Sequence, residues 1–188
     1  MIEIICSGFG GQGVLTAGLI LADAGMENGK HVTWYPSYGS EMRGGTANCN
    51  VKISEEEIAS PYCGKGSLDI LLALNRAAAD KFEANLRPGG LLLINSSLVP
   101  ANRRCREDVR VIRVPANEIA AEEKNAHGVN LVMLGAMAAA YDGFDAEQLC
   151  RDVNHYFYKK KKKEFPKNEA CFRRGMQFGA KSEEEAAG

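Results

Sequence analysis

Ser7-Gly8-Phe9-Gly10-Gly11-Gln12-Gly13-Val14 stands between an apolar run over residues 2–6 and an apolar-periodic segment over 15–24. A short β-branched run, a glycine cluster and apolar residues at helical spacing predict strand, tight loop and helix. Glycines at 8, 10 and 13 fit the spacing that turns a chain tightly, brings a ligand close to backbone and packs a helix on a sheet. Two uses stay open from these residues alone. The unpaired amides at the helix start, with the positive end of its dipole, favour an anion such as phosphate or carboxylate; or the glycines serve only the close helix–strand contact. Working outward, Gly25 and Asn28-Gly29 stop the helix, and residues 31–35 read as a second strand. A β-α-β unit with a right-handed crossover places the chain in the layered α/β class.

A dinucleotide site of this kind carries an acidic residue at the end of the second strand to hold a ribose. Tyr35-Pro36-Ser37 occupies that place, which speaks against nicotinamide or flavin. The next segment, 36–48, is polar and glycine-rich and leads into an alternating run over 49–53, expected as a partly exposed strand. A loop leaving the end of a parallel strand reaches the sheet edge that holds the first glycine loop. Gly8, Gly10, Gly11, Gln12 and Gly13 are therefore expected to share one rim with Ser37, Tyr38, Gly39, Arg43, Gly44 and Gly45. Arg43 offers a planar fork to carboxylate or phosphate. The alternative is a surface turn in which Arg43 bonds Glu41 or backbone.

Further along, 54–58 reads as a solvated acidic turn, 61–67 as a loop, and 68–74 as a third strand. A helix over 76–86, a turn at Arg87-Pro88-Gly89-Gly90 and strands at 91–95 and 109–114 follow. A helical region begins over 118–124. Residues 130–141 form a very apolar helix whose Gly135, Ala136, Ala138, Ala139 and Ala140 suit close helix contact. A short helix runs to Tyr156, the five lysines of 159–163 read as a solvated helix end, and a last helix spans 168–178. The expected organisation is one domain over 1–178 and a flexible acidic tail over 179–188.

The 188 residues are 45% hydrophobic and 25% charged, ordinary for a globular chain. Folding at this length buries about 70% of the unfolded surface, enough for a core without disulfide or metal. A net charge of -1 gives no global pull toward nucleic acid or an anionic membrane, and neither is expected as a partner. No signal segment and no bilayer-length apolar run is found, so a cytoplasmic location is expected. Six cysteines, at 6, 49, 63, 105, 150 and 171, form no C-x-x-C pair, and the chain is not expected to hold an iron–sulfur cluster or zinc by itself. His31, His127 and His155 lack metal-ligand spacing, and no G-x-S-x-G elbow occurs. Ligand-type loops without an acid, base, nucleophile or metal set point to one component of a larger enzyme.

These residues together resemble the gamma subunit of 2-oxoacid:ferredoxin oxidoreductases. The resemblance is carried by Gly8-Phe9-Gly10-Gly11-Gln12-Gly13, the run from Ser37 to Gly45, Val51-Lys52-Ile53-Ser54 and Ile58-Ala59-Ser60-Pro61. Asp69-Ile70-Leu71-Leu72-Ala73-Leu74, Pro88-Gly89-Gly90, Asn130 before Leu134-Gly135, and Asn168 with Gly175 continue it in order, covering about 1–178. Thr46-Ala47-Asn48-Cys49 is most similar to gamma chains of the 2-oxoglutarate and branched-chain 2-oxoacid enzymes. The resemblance implies a three-layer α/β/α sandwich with a mostly parallel central sheet. It implies a complex that oxidatively decarboxylates a 2-oxoacid (2-oxoglutarate, a branched-chain acid such as ketoisovalerate, or pyruvate), forms acyl-coenzyme A and reduces ferredoxin. Thiamine diphosphate, Mg and iron–sulfur clusters then belong to alpha, beta and iron–sulfur partner subunits, no cofactor is held by this chain alone, and coenzyme A is a co-substrate. The rim of Gly10–Gly13 and Arg43–Gly45 then meets a partner subunit or the coenzyme A phosphates. Ser40 stands where many members have proline, and residues 63–67 look like a small insertion. The beta chain of an indolepyruvate enzyme, an independent phosphate- or nucleotide-binding protein and a ligand-free scaffold are the competing readings.

Overall fold

The computed structural model describes residues 1–38, 46–162 and 165–187, with the backbone alone described at Tyr38 and over 181–187. The strands are β1 (Ile2–Phe9), β2 (His31–Tyr38), β3 (Thr46–Ser54), β4 (Leu68–Ala73), β5 (Leu86–Asn95) and β6 (Arg110–Val114). The helices are α1 (Val14–Glu27), α2 (Arg76–Phe82), α3 (Ala116–Glu122), α4 (Val129–Ala140), α5 (Ala146–Lys161) and α6 (Pro166–Ala187). One sheet holds the strands in the order β2-β3-β1-β4-β5-β6. Strand β1 pairs parallel with β4, β4 with β5, and β5 with β6. Strand β3 is antiparallel to both β1 and β2 and is inserted between them. The opening β1-α1-β2 unit therefore holds, with a reversed strand filling the gap it crosses.

The apolar runs of β4 and β5 are buried on both faces, as parallel central strands require. One face carries Ile4, Cys6, Cys49, Val51, Ile70, Leu72, Leu91, Leu93, Ile112 and Val114 into a core with α1, α3, α4, α5 and α6. The other carries Ile5, Leu71, Ala73, Leu92 and Ile94 against Ala78 and Ala79 of α2, with Cys63, Val99 and Val109. The three layers are thus unequal: a thick helical layer on one side, one short helix and loops on the other.

Strand β3 differs from expectation. Its alternation is real, yet Ala47 through Lys52 are all buried rather than wet on one side. The polar face is covered by the segment that follows it. Cys63 N–H donates to Asn50 Oδ1 (3.1 Å), Lys52 Nζ meets Glu3 Oε1 (2.8 Å), and Ser67 Oγ donates to Glu3 Oε2 (2.6 Å). Glu3 and Lys52 side chains are each 8% exposed, so their charges compensate in place of water. Tyr35 and Tyr62 close the outer end of this cover, hydroxyl to hydroxyl at 2.9 Å.

Other boundaries also moved. The helix expected over 76–86 ends at Phe82 and gives way to a 3-10 turn at Glu83–Asn85. The turn at residues 87–90 lies inside β5, where pairing with β4 shifts register between Leu68 and Ile70. Helix α6 continues through Ala187, across most of the segment set apart as a tail. The lysine run is the end of α5: Lys159 Nζ lies 2.8 Å from both Asp23 and Glu27 of α1, and Lys160 sits over the Tyr156 ring. Lys163 lies outside the described residues. No helix among the described residues is long and apolar enough to cross a membrane.

Helix α4 is buried nearly all round and meets α6 at backbone distance. A Cβ on Gly135 would lie 2.0 Å from the Phe172 carbonyl oxygen, and one on Gly175 would lie 2.0 Å from that of Val132. Both helices are locked by the absence of side chains there. Gly175→Ala is expected to lower stability by about 2–3 kcal/mol and the melting temperature by roughly 5–10 °C, checked by thermal denaturation. Lys52→Ala strands the Glu3 carboxylate and is expected to cost about 3–5 kcal/mol in a denaturant titration. Lys30→Ala, which breaks the exposed pair with Glu55, is expected to cost under about 1 kcal/mol.

Candidate functional site

The glycine loop leaves β1 at Phe9, and Phe9, Gly10 and Gly11 are exposed. Helix α1 starts behind Gly13, whose φ of 76° is left-handed, with no side chain capping the first amides and no acidic residue in the first turn. Among the described residues no cap or first-turn carboxylate compensates the positive end of the helix. Gly11 (φ +91°) faces open space.

Gln12 holds the loop's shape. Its Oε1 accepts from Phe9 N–H (2.6 Å) and Asn75 Nδ2 (3.1 Å), and its Nε2 donates to the Leu74 carbonyl (3.4 Å). A Cβ on Gly8 would stand 2.6 Å from that same Oε1, so the glycine makes the room that Gln12 fills. At the other end Asn130 of α4 donates to the Gly13 carbonyl (3.1 Å), and a Cβ on Gly13 would meet the Asn130 amide at 2.8 Å. Asn95 at the end of β5 donates to the Leu74 carbonyl (3.2 Å) and to Asn117 Oδ1 (2.8 Å). Asn75 caps α2 by accepting from Ala78 N–H (2.9 Å). The ends of β1, β4 and β5 are thus joined by one set of amides around the Leu74 carbonyl. Asn75 and Asn95 are site residues that sequence reasoning missed; each is the first polar residue closing an apolar strand, which is the signal that marks this edge.

The second segment expected at the rim is described only at its ends. Ser37 and Ser7 both face Asn48 in the register, so the three share one row of the sheet, and Tyr38 pairs with Ala47. Ser37 is exposed while Ser7 and Asn48 are buried. Gly39, Arg43, Gly44 and Gly45 lie outside the described residues. The strand ends that bound them are placed: Thr46 pairs with Phe9, beside the glycine loop. The described ends of the second segment, Tyr38 and Thr46, lie at the edge where β1 ends in Phe9.

Elsewhere the chemistry is quiet. Burial, with the Glu3 carboxylate adding to it, pushes the Cys63 thiol up to about 12, far from a working nucleophile. No trio of His, Cys, Asp or Glu able to hold a metal occurs among the described residues. A cavity of about 400 Å³, lined in part by Ile2, Leu21, Ile53, Phe144 and Leu149, opens at the other end of β1 and shares no residue with the rim.

Comparisons with known proteins agree with this architecture. The family model described as pyruvate ferredoxin/flavodoxin oxidoreductase matches residues 3–178. The ketoisovalerate oxidoreductase subunit VorA of Methanothermobacter marburgensis is 38% identical over 182 residues, covering 96% of this chain and 37% of that protein. The chain thus spans little more than a third of that relative's length. The 2-oxoglutarate synthase subunit KorC of Methanocaldococcus jannaschii is 40% identical over 137 residues, 72% of either chain. The crystal structure of a keto/oxoacid ferredoxin oxidoreductase gamma subunit from Geobacter sulfurreducens superposes with a TM-score of 0.75 at 30% identity, covering 95% of this chain and 98% of that one.

Gln12→Ala removes the acceptor for Phe9 N–H and Asn75. The expected cost is about 1 kcal/mol, with faster hydrogen exchange at the Phe9 amide and little change in the β4 and β5 amides.

Proposed function

This chain belongs to the pyruvate ferredoxin/flavodoxin oxidoreductase family, and from that we propose that it is the gamma-type subunit of a multi-subunit 2-oxoacid:ferredoxin oxidoreductase. The reaction proposed is oxidative decarboxylation of a 2-oxoacid to its acyl-coenzyme A with reduction of ferredoxin. The observation that carries the reading is the coverage: the chain accounts for 98% of a gamma subunit that stands as a chain of its own. Relatives named for ketoisovalerate and 2-oxoglutarate match at similar identity. Substrate choice is accordingly assigned to the thiamine-binding partners, not to this chain.

Thiamine diphosphate, Mg and iron–sulfur clusters are assigned to alpha, beta and iron–sulfur subunits; they supply decarboxylation and electron transfer, and no step of theirs runs through residues described above. What this chain brings is the rim. Amide N–H groups at the start of α1, without a capping side chain or a first-turn carboxylate, suit an anionic group, either a phosphate of coenzyme A or a partner's carboxylate. Gln12, Asn75 and Asn130 hold that surface in one shape before anything binds. Arg43, between the glycines, is assigned the matching positive charge.

Anaerobic affinity purification of the tagged chain, followed by a coenzyme A-dependent 2-oxoacid oxidation assay, tests the reading. Thiamine-binding and iron–sulfur chains should co-purify with ferredoxin-reducing activity, and recovery of the chain alone would overturn it. Within the assembled complex, Arg43→Ala is expected to raise the KM for coenzyme A about tenfold, the scale of one charge-assisted hydrogen bond. A loss of assembly with unchanged KM would make the rim a subunit contact instead.

A further inference from the structure

Cys6 of β1 and Cys49 of β3 face each other in the antiparallel register. Both are free thiols buried in the core. Directly opposed residues of an antiparallel pair have Cα atoms about 4.5–5.5 Å apart, inside the span of about 4.4–6.8 Å that a disulfide bridges. Neither thiol takes part in the rim. We propose that Cys6 and Cys49 form an oxidisable dithiol, which hydrogen peroxide closes to an intramolecular disulfide directly behind the glycine loop.

The step balances with one peroxide. The Cys49 thiolate attacks one peroxide oxygen, the O–O bond breaks, hydroxide leaves, and Cys49 becomes a sulfenic acid. The Cys6 sulfur then attacks the Cys49 sulfur, the S–O bond breaks, and the departing hydroxide leaves as water with the Cys6 proton. Two thiols lose two electrons and two protons, and one peroxide becomes two waters. The roles follow from the different settings of the two thiols: the neighbouring Cys49 and burial raise Cys6 well above the ordinary thiol range, while the neighbouring Cys6 lowers Cys49.

The surroundings make Cys49 the sulfur whose movement is felt. Its Sγ lies 3.7 Å from the Val14 carbonyl, under the first turn of α1. A Cβ at Gly18 would be 2.4 Å from that sulfur and 2.9 Å from Trp34 Nε1, so thiol, helix and indole meet at one point. Trp34 Nε1 is buried with no hydrogen-bond partner among the described residues, apart from the weak acceptor that the Cys49 sulfur offers it. Joining Cys49 to Cys6 removes the thiol proton that it directs at the Val14 carbonyl and changes the sulfur beside Trp34. Both thiols are fully covered, so peroxide needs a local opening to enter; the exposed turn at Phe9, Gly10 and Gly11, next to Val14, is where we place it. The other thiols are differently placed: Cys63 Sγ points at the Ile4 carbonyl on the opposite sheet face, and Cys105 lies beside Arg103 and Arg113.

The test uses the reduced 188-residue chain and hydrogen peroxide, read by thiol titration, peptide mapping and emission of Trp34, the single tryptophan. The expected result is loss of two of the six thiols, a linked peptide pair containing Cys6 and Cys49, and a shift in Trp34 emission, all reversed by dithiothreitol. Cys105→Ser should keep the response and Cys6→Ala should abolish the linked pair. Oxidation confined to Cys105, a link between any other pair, or thiol loss with unchanged Trp34 emission would overturn the proposal. The peptide map of the unsubstituted chain decides the question even where Cys6→Ala fails to fold.

Discussion

The insertion of β3, reversed, between β1 and β2 is the constraint on which the remaining structure depends. It places Cys49 and Val51 under α1 on one face, so the helix has an apolar floor, and Asn48, Asn50 and Lys52 on the other, where a floor of polar groups must be satisfied without water. That second demand explains the path of the chain after β3. Residues 60–67 cross the polar face because Cys63 N–H and Ser67 Oγ are what Asn50 and Glu3 need. Leaving Glu3 or Lys52 without the other would be far more costly than leaving either wet at the surface.

The same insertion sets the surroundings of the glycine loop. With β3 beside β1, the return of the chain at Thr46 is fixed next to Phe9. On the other side of β1, Asn95 at the end of β5 donates to the Leu74 carbonyl, and Asn75, just after β4, donates to Gln12 Oε1. A helix start behind a glycine loop is ordinary in α/β folds. What is particular here is that its shape is set by side-chain amides from three other elements rather than by the glycines alone.

Much of this was legible in the residues. The glycine loop, the apolar runs of β4 and β5, and the small residues of α4 all follow from local pattern, and each appears where the pattern put it. Strand β3 was misjudged in exposure because Asn48, Asn50 and Lys52 carry the signature of a wet face; only partners far along the chain, Glu3 and Cys63, show that the face is dry. The turn residues Arg87 to Gly90 were read by local chemistry, but pairing with β4 draws them into β5. In the site, Gln12 was visible from its place among the glycines. Asn75, Asn95 and Asn130 were not read as site residues, since their roles exist only once three strands and a helix have converged.

The backbone contact between α4 and α6 has a mechanical meaning. Where side chains interdigitate, two helices can slide by changing rotamers; where a carbonyl oxygen occupies the place of a Cβ, as at Gly135 and Gly175, no such adjustment is available. The relative placement of the two helices is therefore fixed by their backbones. Asn130, at the start of α4, grips the carbonyl of Gly13. The close contact of α4 with α6 is thereby tied, through one side-chain amide, to the first turn of α1 and the glycine loop in front of it.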